Sequence, residues 1–395
     1  MLIELIGFLL LGILMGIITG LIPGIHINLI GTILISLSAT IFLTINPIFL
    51  VVFIVAMAIT HTFLDFIPSI FLGCPDTDTE LSVLPGHDLL KKGLAYEAIS
   101  LTTYGSLSAV IILIIIAFPS MFIISKIYDF ILSVLPYLLI GISIILISLE
   151  KKKYSALFVF LLTGFLGLSV LNLNAQEPLL PLLTGLFGSS MLVQSIKNKT
   201  KIPPQIISKP KLKLMKPLLG AIIASPICSF LPGLGSGQAA IIGNTISKTG
   251  RKGFLVLIGA TNTLVMGFSF ISLYLISRTR TGAAVAISEI MGTVSLNLLI
   301  LILICTLITG IISFFITINL AKILANKMNK VDYKKLSLTT LFILILIVYL
   351  VSNFLGLLIF LVSTFTGIYC ISLNVKRTNM MGCLLIPTII FYLFI

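Results

Sequence analysis

Two stretches of this sequence carry the residue types of an anion site. The first reads Gly20-Leu-Ile-Pro-Gly-Ile-His-Ile-Asn-Leu-Ile-Gly-Thr32 and the second Ser229-Phe-Leu-Pro-Gly-Leu-Gly-Ser-Gly-Gln-Ala-Ala-Ile-Ile-Gly-Asn-Thr245. Each puts a Pro-Gly pair in the middle of an apolar run. Proline removes a backbone donor and glycine permits unusual dihedrals, so each pair is expected to break a helix. A half-helix beginning just beyond the break presents free N–H groups and the positive end of its dipole. His26 and Asn28 follow the first pair; Gly235, Ser236, Gly237 and Gln238 follow the second. Together with Pro23, Gly24, Pro232 and Gly233, these residues are the candidate ligands of a small anion. Glycine and serine also bring membrane helices close together, which is the structural alternative for one such stretch. Two stretches in related positions favour a site.

The charged groups within apolar surroundings are few. His61 and Asp65 are four residues apart, which places them on one helix face. An acid inside a membrane helix is energetically unfavourable and by default functional, here in proton or sodium coupling, against the alternative of a structural His–Asp pair. Arg278 and Arg280 have the geometry for carboxylate or phosphate recognition, or are ordinary interfacial arginines. The run Asp76-Thr-Asp-Thr-Glu80 lacks the spacing and glycine of an EF-hand and reads as part of a solvated cytoplasmic loop, 74–98. No nucleophile elbow, zinc-protease motif or Walker motif is present, so the chain is expected to be neither an enzyme nor an ATP-driven pump. Five dispersed cysteines match no metal or disulfide framework. No cofactor is expected beyond a coupling Na+ or H+.

These groups need a hydrophobic scaffold, and the composition supplies one. Of 395 residues, 58% are hydrophobic and 9% charged, far from the roughly 25% charged residues of a soluble domain. Leu107 to Ile124 and Asn297 to Leu320 carry no charge at all. Runs of about 20 such residues span the bilayer as helices, the only open-ended structure whose backbone is satisfied there. The fold class is therefore an all-α polytopic membrane protein of the plasma membrane, with about 10–12 membrane segments. The net charge of +13 is no nucleic-acid signal. Its lysines lie in short loops, seven of them between Lys197 and Lys216 with no acid among them, as expected of cytoplasmic loops.

The topology that follows carries a repeat. Pro23 aligns with Pro232, Thr60-His-Thr62 recurs as Thr261-Asn-Thr263, and Gly93-Leu-Ala resembles Gly282-Ala-Ala. This brings Asn262 into the candidate set at the position of His61. Lysines at both ends of 217–247 require that segment to enter and return on the cytoplasmic side, and 5–45 becomes a matching hairpin from outside. Five spans lie between them (48–73, 99–125, 127–149, 154–172 and 178–195), an odd number that inverts the second repeat. Inverted repeats with broken helices meeting near the midplane form a transporter architecture. The expected organisation is repeat 1 at 1–125, linking helices and a basic cytoplasmic loop at 126–215, repeat 2 at 216–330, and C-terminal helices at 331–395 in a scaffold or oligomer role. A homodimer is one such arrangement.

The motif Gly20-Leu-Ile-Pro-Gly-Ile-His-Ile-Asn, the stretch Leu84-Pro-Gly-His-Asp-Leu-Leu-Lys-Lys-Gly-Leu-Ala-Tyr-Glu-Ala98 and the later Pro232 to Gly235 resemble, in order, the TctA family, the large membrane subunit of tripartite tricarboxylate transporters. The chain looks like a divergent, archaeal-type branch: it is short, His26 and Asn28 replace a Gly-x-Gly-like continuation, and Phe71-Leu-Gly-Cys-Pro-Asp stands where the family tends to have a Pro-Gly turn. The resemblance implies a permease for di- or tricarboxylates that works with a small membrane subunit and an external binding protein. From the residues alone, a translocase for a lipid-linked phosphate such as polyprenyl phosphate stays open, because the same hairpin tips suit a phosphate head group.

Overall fold

The structure is a computed structural model and describes residues 2–22, 45–73, 79–197, 202–230, 235–277, 281–328 and 333–394. Among these residues there are helices and no strand, and eight helices are long and apolar enough to cross a membrane. The order is α1 (Leu2–Leu21), α2 (Pro47–Leu64), α3 (Phe66–Phe71), α4 (Val83–Leu90), α5 (Ala95–Ser148), α6 (Lys153–Leu171), α7 (Leu179–Leu183), α8 (Ser190–Lys197), α9 (Met215–Phe230), α10 (Ser236–Ser247), α11 (Arg251–Ile276), α12 (Gly282–Met291), α13 (Leu296–Met328), α14 (Tyr333–Ser372) and α15 (Gly382–Leu393). The α2–α3 span and α11 are sheathed by the other helices. Large apolar side chains on α1, α5 and α14, such as Ile3, Phe122 and Phe365, face outward, as lipid requires.

Two helices are too long for one crossing. Helical residues run unbroken through the 54 residues of α5, which as a straight rod would reach about 81 Å. Yet both ends lie at one pole: Glu97 pairs with Lys252, and Glu150 with Lys376, while Arg251 and Lys376 line one cavity. The element therefore folds back on itself, with apolar arms at Ala95–Ile123 and Ser133–Ser148 and prolines at 119 and 136. In α14 the break is explicit. Asn353 has φ 55° and ψ −160°, and its amide donates to Gln176 Oε1 at 3.1 Å.

The lysine-rich pole that gathers the Glu97–Lys252 and Glu150–Lys376 pairs is more ordered than the sequence suggests. Of the expected solvated loop, 74–78 lies outside the described residues; Lys91 and Lys92 are exposed in a turn as expected, but the segment before them departs from it. Thr79, Ser82 and His87 are buried, and Val83–Leu90 forms helix α4. The apolar residues Leu81, Val83, Leu89 and Leu90 drive this packing. His87 and Met191 both border Gly73, and the His87 Nδ1–H donates to the carbonyl of Ile70 at 3.1 Å. Burial, helped by Lys91 and Arg377, lowers its pKa to about 3. The folded state thus holds His87 neutral while the unfolded chain protonates near 6.5. Its contribution is fully present above pH 6.5 and is lost as pH falls towards 3, by up to about 1.4 kcal/mol per pH unit. The melting temperature of the purified protein should fall from pH 7 to pH 4, and His87→Asn, which keeps a donor near the Nδ1 position, should flatten that slope. Equal slopes for the two proteins would refute the assignment.

At the centre, α5 and α11 touch backbone to backbone. A Cβ on Gly259 would meet the Cα and carbonyl carbon of Thr102 at 2.8 Å, and one on Gly105 would meet Val256 C at 3.0 Å and Ala260 N at 3.1 Å. Ser106 Oγ donates to Gly259 O at 3.0 Å across the same contact.

Candidate functional site

The contacts show how the chain positions its breaks. Gly12 of α1 lies on Phe53, Gly16 on Thr60 and Gly20 on Leu64, so α1 runs parallel to α2 and stops at the level of Asp65. The next described residue, Ile45, lies at the other end of α2. In the second half, Pro217 lies beside Gly253 and Ser229 Oγ donates to Val265 O at 3.2 Å, so α9 runs parallel to α11 in the same way. Helices α9 and α10 are antiparallel, with Gly220 against Gly243 and Ser247. Their facing ends, Phe230 and Ser236, therefore reach the middle of α11.

At that level the two halves meet. Helix α2 runs towards the lysine-rich pole, where Gly73 abuts His87. Helix α11 runs away from it, starting at Arg251, whose guanidinium is 3.0 Å from Asp88. The two antiparallel helices touch at Thr62 and Thr263, whose hydroxyls are 3.2 Å apart. The Asn262 amide donates to Asp65 Oδ2 at 2.7 Å and lies 3.4 Å from Thr62 O.

Asp65 owes its place to a local sequence cause. Pro68 has no N–H to give the carbonyl of Leu64, so the helix is interrupted between α2 and α3. Asp65 sits at the interruption, 3% exposed. His61 faces α1 instead. Thr19 Oγ1 donates to Gly16 O at 3.3 Å and so accepts the Nδ1–H of His61 at 3.1 Å, a tautomer assigned from the network. Thr60 takes a hydrogen bond from Ser313 of α13 at 3.0 Å.

The sequence candidates divide as follows. Gly235, Ser236, Gly237 and Gln238 form the start of α10. There Gln238 Oε1 accepts the Gly235 N–H at 2.7 Å, and Ser236, Gly237 and Gln238 are buried. Asn262 is hydrogen-bonded to Asp65. Pro23, Gly24, His26, Asn28, Pro232, Gly233, Arg278 and Arg280 lie outside the described residues. Sequence reasoning did not single out Thr19, Ser313 or the Thr62–Thr263 contact. The last had a signal, because aligned residues of two repeats meet when the repeats pack around a shared axis.

Comparison with known proteins decides the affiliation. Residues 6–382 match the family described as the Tripartite tricarboxylate transporter TctA family. The chain belongs to the TctA family. A relative in Methanocaldococcus jannaschii, the uncharacterized protein MJ1079, is 32% identical over 365 residues, which cover 86% of this chain and 88% of the relative. No solved structure matches the chain. As a TctA-family protein whose described residues include eight helices long and apolar enough to cross a membrane, the chain is a multi-pass membrane component of a transporter and not an enzyme.

Proposed function

We propose that the chain is the permease of a secondary transporter that moves a small organic anion of the di- or tricarboxylate class by alternating access, coupled to Na+ or H+. The observation that carries this reading is the hydroxyl contact between Thr62 and Thr263. It joins two residues at corresponding places of the sequence repeat, on antiparallel helices, at the level where α1, α9 and α10 all end. An inverted pair of broken elements around a midplane site is the arrangement that rocking of one half against the other requires. The N-terminus of α10 offers backbone N–H groups and the Ser236 hydroxyl to an anion. Asp65, held by Asn262 from the opposite half, is the coupling group, and His61 supports it through α1. Membership of a tripartite family suggests a small membrane subunit and an external binding protein as partners.

A thermal-shift screen in detergent tests the substrate class. Carboxylates and polyprenyl phosphates are each added with and without sodium, at two pH values. A ligand that binds only the folded state adds about 2.7 kcal/mol at a hundredfold over its dissociation constant. Stabilisation by a citrate-like acid supports the permease; stabilisation by lipid phosphates alone replaces it with a lipid-phosphate translocase. Gln238→Ala removes the cap of α10, a loss of about 1 kcal/mol. It should also weaken carboxylate binding, because the N–H groups that face the anion lose their alignment. Unchanged affinity would remove the α10 tip from the site.

A further inference from the structure

We infer that the cytoplasmic pole holds a second anion site, built for the headgroup of an anionic phospholipid. A cavity of about 820 Å³ opens there between the segment before α9 and the turn joining α10 to α11. Lys211, Lys213, Lys216, Lys248, Arg251 and Lys252 all line it, and among the described residues no acid does. Two of the six are neutralised by carboxylates elsewhere, Arg251 by Asp88 and Lys252 by Glu97. The four lysines that remain come from two chain segments and converge on one space, which like charges do only at a cost unless an anion joins them. A cytoplasmic loop satisfies the positive-inside rule without forming a cavity, so that rule explains the lysines but not their convergence.

The wall of the cavity adds a backbone contribution. It includes Gly250 to Gly253, the N-terminus of the 26-residue helix α11, where no side chain caps Gly250. The dipole of α11 therefore points its positive end at the same space.

The apolar surroundings select a lipid over a free phosphate. Met215 lines the cavity, and below it on α9 come Leu219 and Ile223, with exposures of 76%, 53% and 47% along the three. At spacings of four they form one stripe about 12 Å long running from the cavity into the membrane. Ile246 of α10 is also exposed beside Lys248. A phosphodiester in the cavity would thus lay its chains along an existing exposed apolar stripe. Basic pockets between helices on the cytoplasmic side are suited to such headgroups. Bound there, the lipid would tether both ends of the α9–α10 hairpin, at Lys216 and Lys248, to the start of α11. The site stands apart from the midplane and is independent of the transport reading.

The test uses the full chain in detergent, titrated with phosphatidylglycerol, phosphatidylcholine or glycerol phosphate, with retained lipid read by native mass spectrometry and stability by thermal melting. Phosphatidylglycerol alone should be retained and should stabilise. The triple variant Lys213→Gln/Lys216→Gln/Lys248→Gln should bind it about a hundredfold more weakly, at roughly 1 kcal/mol for each lysine near the surface. Lys151→Gln/Lys153→Gln, at exposed lysines of the same pole, should bind as the parent does, and the corresponding triple arginine variant should retain binding if the glutamine protein folds poorly. Equal retention by the triple glutamine variant, equal loss in the Lys151/Lys153 control, or equal stabilisation by glycerol phosphate would each overturn the site.

Discussion

Asp65→Asn is expected to leave a folded protein that no longer accumulates its substrate against a gradient. The substitution keeps shape and an acceptor oxygen, so the hydrogen bond from Asn262, 2.7 Å in the parent, can persist and the melting temperature should change little. What it removes is the group that can gain and lose a proton or hold a cation at the break between α2 and α3. Coupling free energies between sites commonly amount to about 1–3 kcal/mol, or about 5–150-fold. Ion-driven accumulation in proteoliposomes should therefore fall by up to about a hundredfold. Exchange of labelled for unlabelled substrate at equal concentrations, which needs no coupling, should survive. Asn262→Ala is the opposite case. It removes one donor to the buried carboxylate, with a penalty of about 1–3 kcal/mol, and should lower stability along with transport. Normal gradient-driven accumulation by Asp65→Asn would remove Asp65 from the coupling role.

Why some of this was legible in the residues and some was not follows from the physics of each contact. The helical, membrane-spanning character was open to reading because it is compositional: charge-free runs such as 297–320 have no other stable form in lipid. The candidate role of Asp65 was legible for the same reason, since an acid in such surroundings stands out. Its partner was only half visible. The recurrence of Thr60-His-Thr62 as Thr261-Asn-Thr263 marked Asn262 as a counterpart of His61, yet nothing in a linear pattern says that the counterpart turns to Asp65. That depends on how two antiparallel helices cross. Burial of the segment that holds Thr79, Ser82 and His87 was illegible for another reason. These polar residues mimic a solvated loop, and only tertiary partners such as Ile70 O make them tolerable inside. The fold-back of α5 was read from the need to keep lysines on one side, whereas local helix propensity gives no such signal.

The contact between α5 and α11 yields the largest expected effect on stability. Gly259→Val should prevent the protein from accumulating in folded form. Polar groups contribute modestly to helix association in lipid, so close packing of small residues is a principal source of stability. At Gly259 the obstacle is the backbone of Thr102, at 2.8 Å from the position of a new Cβ. Backbone cannot rotate away as a side chain can. Overpacking normally costs about 1–3 kcal/mol and exceeds that where the neighbour is rigid. Separating the helices would also break the Ser106–Gly259 hydrogen bond and open the seam along which α11 is buried. The matched control is Gly141→Val on the second arm of α5, where an added Cβ meets nothing within 4 Å. Size-exclusion profiles and melting curves of the two variants should diverge: aggregation or loss for Gly259→Val, a near-parental profile for Gly141→Val. A folded, normally melting Gly259→Val protein would show that α5 and α11 can separate without loss, and that the centre of the molecule is held elsewhere.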